Sequence, residues 1–182
     1  MRPEETIMTN EGGRNGMEFV LRAWRREDIP VIARYANNPH VAENLRDVFP
    51  FPYTEVDAAA YILDCIATGE NGSLKRAIDI DGEAVGSITV TSGADVYRKS
   101  AEVGYWLAEP FWGQGIMSEA IRRISEEAFR RFDLVRLFAE PFATNTGSRR
   151  ALEKAGFVLE GILRSSVYKN GRLLDSCVYA RL

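Results

Sequence analysis

The run Glu102-Val103-Gly104-Tyr105-Trp106-Leu107, followed by Trp112-Gly113-Gln114-Gly115-Ile116-Met117-Ser118-Glu119-Ala120, is the stretch from which the rest of the fold can be read. Residues 101–107 read as a strand. Beyond Gly113 the apolar residues Met117, Ile121, Ile124, Ala128 and Phe132 recur at helical spacing, with Arg122, Arg123, Glu126, Glu127, Arg130 and Arg131 between them. That is the pattern of a long amphipathic helix packed on a sheet. Glycines at 113 and 115 let backbone N–H groups converge without a Cβ in the way, and the helix that starts there offers its positive end. A strand, a Gly-x-Gly turn and a helix in this order suit a pyrophosphate, although a bare strand-to-helix turn has the same appearance.

Two other phosphate motifs fail here. A P-loop needs Gly-Lys-Ser/Thr, yet Ile116-Met117 follows Gly115, so the lysine that reaches the outer phosphates is missing. A dinucleotide turn needs a third glycine, and Ser118 stands in its place.

Working outward, residues 74–80, Asp81-Gly82 and residues 84–90 read as a hairpin whose Asp-Gly turn supplies positive φ angles. With residues 101–107 this predicts three consecutive antiparallel strands. Downstream, residues 135–142 read as a buried strand and residues 146–154 as a short helix closed by Gly156. A long strand over 157–168 then turns at Asn170-Gly171 into a last strand over 173–181. Upstream, residues 19–21 read as a strand, and residues 25–37 as a helix with Asp28 near its start and Pro30 in its first turn, stopped by Asn38-Pro39. The alternating prolines of Phe49-Pro50-Phe51-Pro52-Tyr53 exclude helix and imply an extended loop rich in exposed aromatic surface, which could wall a pocket or simply pack. Thr54 with Asp57 three residues on has the form of a capping box for a helix ended by Gly69. Residues 1–16 have the polar, glycine-containing composition of a flexible tail, and residues 17–182 the length of a single domain.

Composition removes several function classes. Lys and Arg total 23 against 26 acids, a net charge of -3, which is no footprint for direct nucleic-acid binding. Apolar runs fall short of the roughly 20 residues that cross a bilayer, and the expectation is a cytoplasmic protein without a membrane partner. Cys65 and Cys177 have neither zinc-ligand spacing nor a histidine-rich neighbourhood, and read as small buried hydrophobes rather than metal ligands. His40 is the one histidine, placed in an early loop.

The glycine-turn segment resembles the acetyl-CoA motif of the GNAT N-acetyltransferases, in particular the Rim-type branch that acetylates ribosomal-protein N-termini. Asn145-Thr146-Gly147-Ser148, Leu152-Glu153-Lys154-Ala155-Gly156-Phe157, Leu159-Glu160-Gly161 and Tyr168-Lys169-Asn170-Gly171 are similar to that branch in order and spacing, as are Asn38-Pro39 and Phe51-Pro52-Tyr53-Thr54 upstream. The resemblance covers residues 19–182. It implies an α/β (α+β) fold: a mixed, mostly antiparallel, seven-stranded twisted sheet, split in the middle and flanked by about four helices.

The resemblance also implies a reaction, in which acetyl-CoA gives its acetyl group to a primary amine by direct transfer in a ternary complex, leaving CoA, with no metal. Cofactor binding falls on Tyr105, Trp106, Leu107, Trp112, Gly113, Gln114, Gly115, Ile116, Met117, Ser118, Asn145 and Ser148. Asn145 could equally be a plain helix cap. Glu160 and Glu102 are the candidate bases, and Ser148 the candidate partner of the departing thiolate. Many relatives carry a tyrosine for that last task where this chain has Leu152. Phe51, Tyr53 and Tyr168 are the candidate substrate-binding residues. Open alternatives for the acceptor are a protein N-terminus, a polyamine, an amino acid and an aminoglycoside; a non-catalytic CoA-binding regulator is the rival class. A monomer and a homodimer are both compatible with the sequence.

Overall fold

A computed structural model describes residues 17–182; the polar segment 1–16 lies outside the described residues. Seven strands form one sheet in the order β1-β2-β3-β4-β5-β7-β6. They are β1 Val20–Arg22, β2 Ser73–Ile80, β3 Glu83–Ser92, β4 Ser100–Leu107, β5 Arg136–Ala139, β6 Val158–Lys169 and β7 Arg172–Arg181. Every neighbouring pair is antiparallel except β4 with β5. The hairpin turns follow from local chemistry: Asp81 and Gly82 have φ 53° and 89°, Asn170 and Gly171 φ 50° and 76°, the left-handed pairs that a two-residue turn between twisted strands requires.

Helices cover both faces. On one side α1 (Ile29–Ala36) and α3 (Glu55–Thr68) bury Ile32, Ala36, Ala58 and Ile62 against Ala77 and Ala84 of the β2–β3 hairpin. On the other, α4 (Ile116–Arg131) and α5 (Thr146–Lys154) bury Ile121, Ile124, Ala128 and Leu152 against Leu74, Ile88, Val103 and Leu137. Ile121, Ile124 and Leu152 are all 0% exposed, so truncating any one to Ala costs about 2–5 kcal/mol through lost transfer energy and the cavity left behind. The α3 capping box forms as its sequence implies: Thr54 Oγ1 accepts from Asp57 N–H, and Asp57 Oδ2 accepts from Thr54 N–H at 2.8 Å. Cys65 and Cys177 are buried and unbonded to each other.

Three expectations need correction. Asn38 does not only end α1. Its side chain accepts from His40 N–H and caps a one-turn helix, α2 (Pro39–Ala42), which joins the four longer α-helices among the described residues. The aromatic loop 49–53 is not uniformly exposed: Phe51 is, but Tyr53 is 7% exposed and its ring stacks on Phe49 with centroids 4.8 Å apart. Phe49 in turn meets Trp106 edge-on at 5.8 Å, so these rings seal the α1–α3 face of β4. The strand expected over 135–142 is only four residues long, because Pro141 cannot donate to a ladder and the chain swings toward β7, where Phe142 bridges Ser176.

Candidate active site

The short β5 opens a fork in the sheet. Ser100, Ala101 and Glu102 of β4 pair with Arg136, Leu137 and Phe138, and the ladder stops there. Beyond Ala139 the chain follows β7 instead, with Ala143 N–H donating to Asp175 O at 2.8 Å and Cys177 N–H to Pro141 O at 2.9 Å. β4 runs on to Leu107, still paired with β3 on its far side. Its edge toward β5 therefore carries main-chain donors and acceptors after Glu102 that no ladder satisfies, an arrangement that needs either water or a ligand's amides.

At the top of that open edge the chain enters the glycine turn. Trp112 Nε1 donates to Leu107 O at 2.7 Å and Gln114 Nε2 to Pro110 O at 3.0 Å, fixing the loop that leads into α4. Gly113 and Gly115 sit at φ 76° and 81°, where a side chain would strain the backbone, and the space above both Cα atoms is open. Gly115 is the N-cap of α4 and supplies no side-chain cap. The first-turn N–H groups of the helix, including Ile116, Met117 and Ser118, thus face outward with the helix dipole behind them. The donor set fits a pyrophosphate, and the unpaired β4 edge fits the amide-bearing arm that would hang from it.

Across the fork, α5 presents its own N-terminus. Asn145 Oδ1 accepts from Ser148 N–H at 3.0 Å, so Asn145 is a true N-cap, and the cap positions Ser148. Ser148 Oγ lies 2.8 Å from Tyr105 Oη. Burial pushes the Tyr105 phenol far above its ordinary value, so it stays protonated, and either hydroxyl can donate in this contact. When Tyr105 donates, the serine's own proton is left to point elsewhere. Leu152, one turn on in α5, is fully buried in the core and offers no proton.

The two carboxylates singled out in the sequence are both tied to arginines. Arg136 grips Glu160 with Nη1–Oε1 at 2.6 Å and Nη2–Oε2 at 2.5 Å, and this hydrogen-bonded pairing holds the carboxyl below the usual range. Glu102 pairs with Arg46 from the loop after α2. Neither touches the Tyr105–Ser148 pair, which projects on the opposite face of the sheet by the alternation of β4.

On the α1–α3 face the fork widens into a cleft of about 450 Å³, lined among others by Arg46, Asp47, Glu140, Phe142, Tyr168 and Lys169. One wall is the loop carrying Arg46 and Asp47; the other is β6, which bulges between Leu163 and Val167. Ser165 takes φ 51° in that bulge, and its N–H is held by Asp175 Oδ1 at 2.8 Å. The walls are joined by Lys169, 8% exposed, whose Nζ donates to Asp47 Oδ1 at 2.7 Å. Of the candidate substrate-binding residues, Tyr168 lines this cleft, Tyr53 is packed in the core and Phe51 is exposed at the loop tip. Arg46, Asp47, Glu140 and Lys169 were not legible from sequence, because only the folded loop and the β6 bulge bring them together.

A second polar latch sits beside the glycine turn. Glu109 accepts from Asn38 Nδ2 at 2.7 Å through one oxygen and meets His40 Nδ1 at 2.9 Å through the other, joining α2 to the β4–α4 loop. Among the described residues no cluster of side chains could hold a metal ion, and no helix is long and apolar enough to cross a membrane.

Comparison with known proteins agrees with this architecture. The family model described as an acetyltransferase (GNAT) domain matches residues 18–158. The uncharacterized N-acetyltransferase p20 of Bacillus licheniformis is 28% identical over 168 residues, which cover 90% of this chain and 92% of that protein. The ribosomal-protein-serine acetyltransferase of Escherichia coli (strain K12) is 34% identical over 85 residues, 47% of this chain and 48% of that protein. Among solved structures, RimL, a ribosomal L7/L12 alpha-N-protein acetyltransferase in complex with coenzyme A, superposes with a TM-score of 0.80 at 24% identity, covering 93% of this chain and 95% of its own. A family match over most of the chain, on a sheet forked at the glycine turn, makes this protein a member of the GNAT acetyltransferases, related to the ribosomal-protein N-acetyltransferases.

Proposed function

We propose that the protein transfers an acetyl group from acetyl-CoA to a primary amine, with a protein N-terminus as the favoured acceptor class, by direct attack in a ternary complex. The observation that carries this reading is the unpaired edge of β4 running from Glu102 into the uncapped N-terminus of α4. One continuous track there matches an amide-bearing arm ending in a pyrophosphate. The similarity to an enzyme named for acting on ribosomal-protein serine supports the acceptor class, and the reaction is proposed for the cytoplasm.

In this reading the thioester carbonyl lies against the β4 main chain near residues 105–107, whose N–H groups stabilise the oxygen as it gains charge. The amine nitrogen attacks the carbonyl carbon, the N–C bond forms and the C–S bond breaks. Ser148 gives its proton to the departing sulfur and regains one through the Tyr105 hydroxyl, which takes a proton from solvent in turn, the two hydroxyls being already in contact. This pair supplies what Leu152 cannot.

The acceptor enters from the opposite face, through the cleft between the Arg46–Asp47 loop and β6. Thiol release from acetyl-CoA, measured with serine- and alanine-initiated peptides, spermidine and free amino acids, tests the reading. Release that depends on an added amine supports it; binding of acetyl-CoA with no amine-dependent release from any acceptor sinks it.

A further inference from the structure

We infer that Glu140 is the group that takes the proton from the acceptor nitrogen, an assignment that rests on the acetyl-transfer reading above. The last β4–β5 ladder pair is Glu102 with Phe138. Two residues further on come Gly104, still within β4, and Glu140, the first residue past β5; Glu140 lines the same cleft as Arg46, the partner of Glu102, and so stands on that side of the sheet. The ladder has ended by then, so Gly104 and Glu140 flank the opening of the fork rather than bonding across it. Gly104 contributes no side chain; Glu140 contributes a carboxylate, and it lines the cleft through which the acceptor would approach.

The electrostatics of the cleft single out this residue. Its cations are engaged, Arg46 with Glu102 and Lys169 with Asp47. Glu160 is clamped by both Nη atoms of Arg136. Glu140 is exposed and, among the described residues, has no hydrogen bond or ion pair. It therefore leaves the cleft with one uncompensated negative charge at the fork, which draws in an ammonium and is free to accept its proton.

The proton balance is simple. The acceptor arrives as R–NH3+, whose nitrogen has no lone pair until one proton has passed to a Glu140 oxygen, an uphill step that leaves a minor population of R–NH2. That amine attacks, and once the N–C bond forms the nitrogen is acidic and gives its second proton to water in the open cleft; one proton returns to the departing sulfur, so the net reaction releases one. The thiolate is served separately from the other face, by Ser148. Acid and base thus stand on opposite sides of β4 and do not neutralise one another.

The test is the pH profile of kcat/KM for thiol release from acetyl-CoA, using the wild type, Glu140→Gln, Glu160→Gln and Glu102→Gln with the best acceptor among the serine-initiated peptide, spermidine and amino acids. For the wild type a plateau extends well below the amine's own pKa. Glu140→Gln is expected to fall about 100-fold at pH 7. Its rate then climbs about tenfold per pH unit and approaches the wild type near the amine's pKa, where the amine is already free base and Glu140 has no first proton to take. A merely structural loss would lower the rate equally at every pH and weaken acetyl-CoA binding, which should instead be unchanged by equilibrium titration. A plateau retained in Glu140→Gln, or the sloping profile appearing in Glu160→Gln or Glu102→Gln, overturns the assignment while leaving the transferase reading intact. A wild type inert toward every amine removes the reading and the assignment together.

Discussion

Tyr105 on β4 and Ser148 on α5 share a 2.8 Å hydrogen bond between side chains 43 residues apart in sequence. Its two partners sit on the two arms that flank the open strand edge, so the contact records how the fork is held. With the phenol kept protonated by burial, it can donate to the serine hydroxyl, whose own proton is then free for whatever occupies the fork.

Ser148→Ala should therefore lower kcat by about 100-fold, the low end of what a positioned proton donor contributes, with a smaller change in acetyl-CoA affinity. Tyr105→Phe keeps the ring and removes only the hydroxyl. It should cost about 1 kcal/mol of stability and leave a larger residual kcat than Ser148→Ala. Steady-state kinetics beside urea unfolding separate the two effects; equal kcat for both variants and the wild type would dissolve the proton-relay role.

Glycine substitutions distinguish backbone strain from crowding. At Gly113 and Gly115 the surroundings are open and only the positive φ penalises a side chain, so Gly115→Ala should cost about 1–2 kcal/mol and weaken acetyl-CoA binding. At Gly86 a Cβ would come within 2.5 Å of Trp106 O on the neighbouring strand, a clash with backbone that cannot rotate away. Gly86→Ala should destabilise the fold more than Gly115→Ala does, as thermal unfolding with and without acetyl-CoA would reveal.

His40 gives a clean titration because it is the sole histidine. Its hydrogen bond to Glu109 raises its pKa above the ordinary 6.5. A group whose folded pKa is raised contributes its stabilisation fully below the unfolded value and loses it as pH rises through the folded one. The latch between α2 and the β4–α4 loop should accordingly be firmest below about pH 6.5 and loosen above the folded midpoint. NMR titration of the His40 ring should give a midpoint above 6.5 that drops back in Glu109→Gln; an unchanged midpoint in that variant would refute the pairing.

Sequence reading succeeds here where local rules act alone. The Asp81-Gly82 and Asn170-Gly171 turns, the Thr54–Asp57 box and the amphipathic period of α4 each express a short-range preference, and each lies where it was expected. It falters where two distant segments compete for one position. Pro141 cuts β5 short, but only the folded β7 shows where the chain goes next; Tyr53 looks like surface until Phe49 and Trp106 close over it. The site divides the same way. The glycine turn and Asn145-Thr146-Gly147-Ser148 are contiguous and readable, whereas the cleft is assembled from residues near 46, 140 and 169. That Arg136 reaches Glu160, and that Glu140 stays unpaired among the described residues, are facts of side-chain placement that strand periodicity does not encode.

The most direct measurement is amine-dependent release of CoA thiol from acetyl-CoA, with mass spectrometry of a serine-initiated peptide from the same reaction. The account predicts stoichiometric thiol and a peptide heavier by one acetyl group on its α-amino nitrogen, both slowed together by about 100-fold in Ser148→Ala. Acetyl-CoA that binds at the α4 turn while no peptide, polyamine or amino acid is ever acetylated would contradict it.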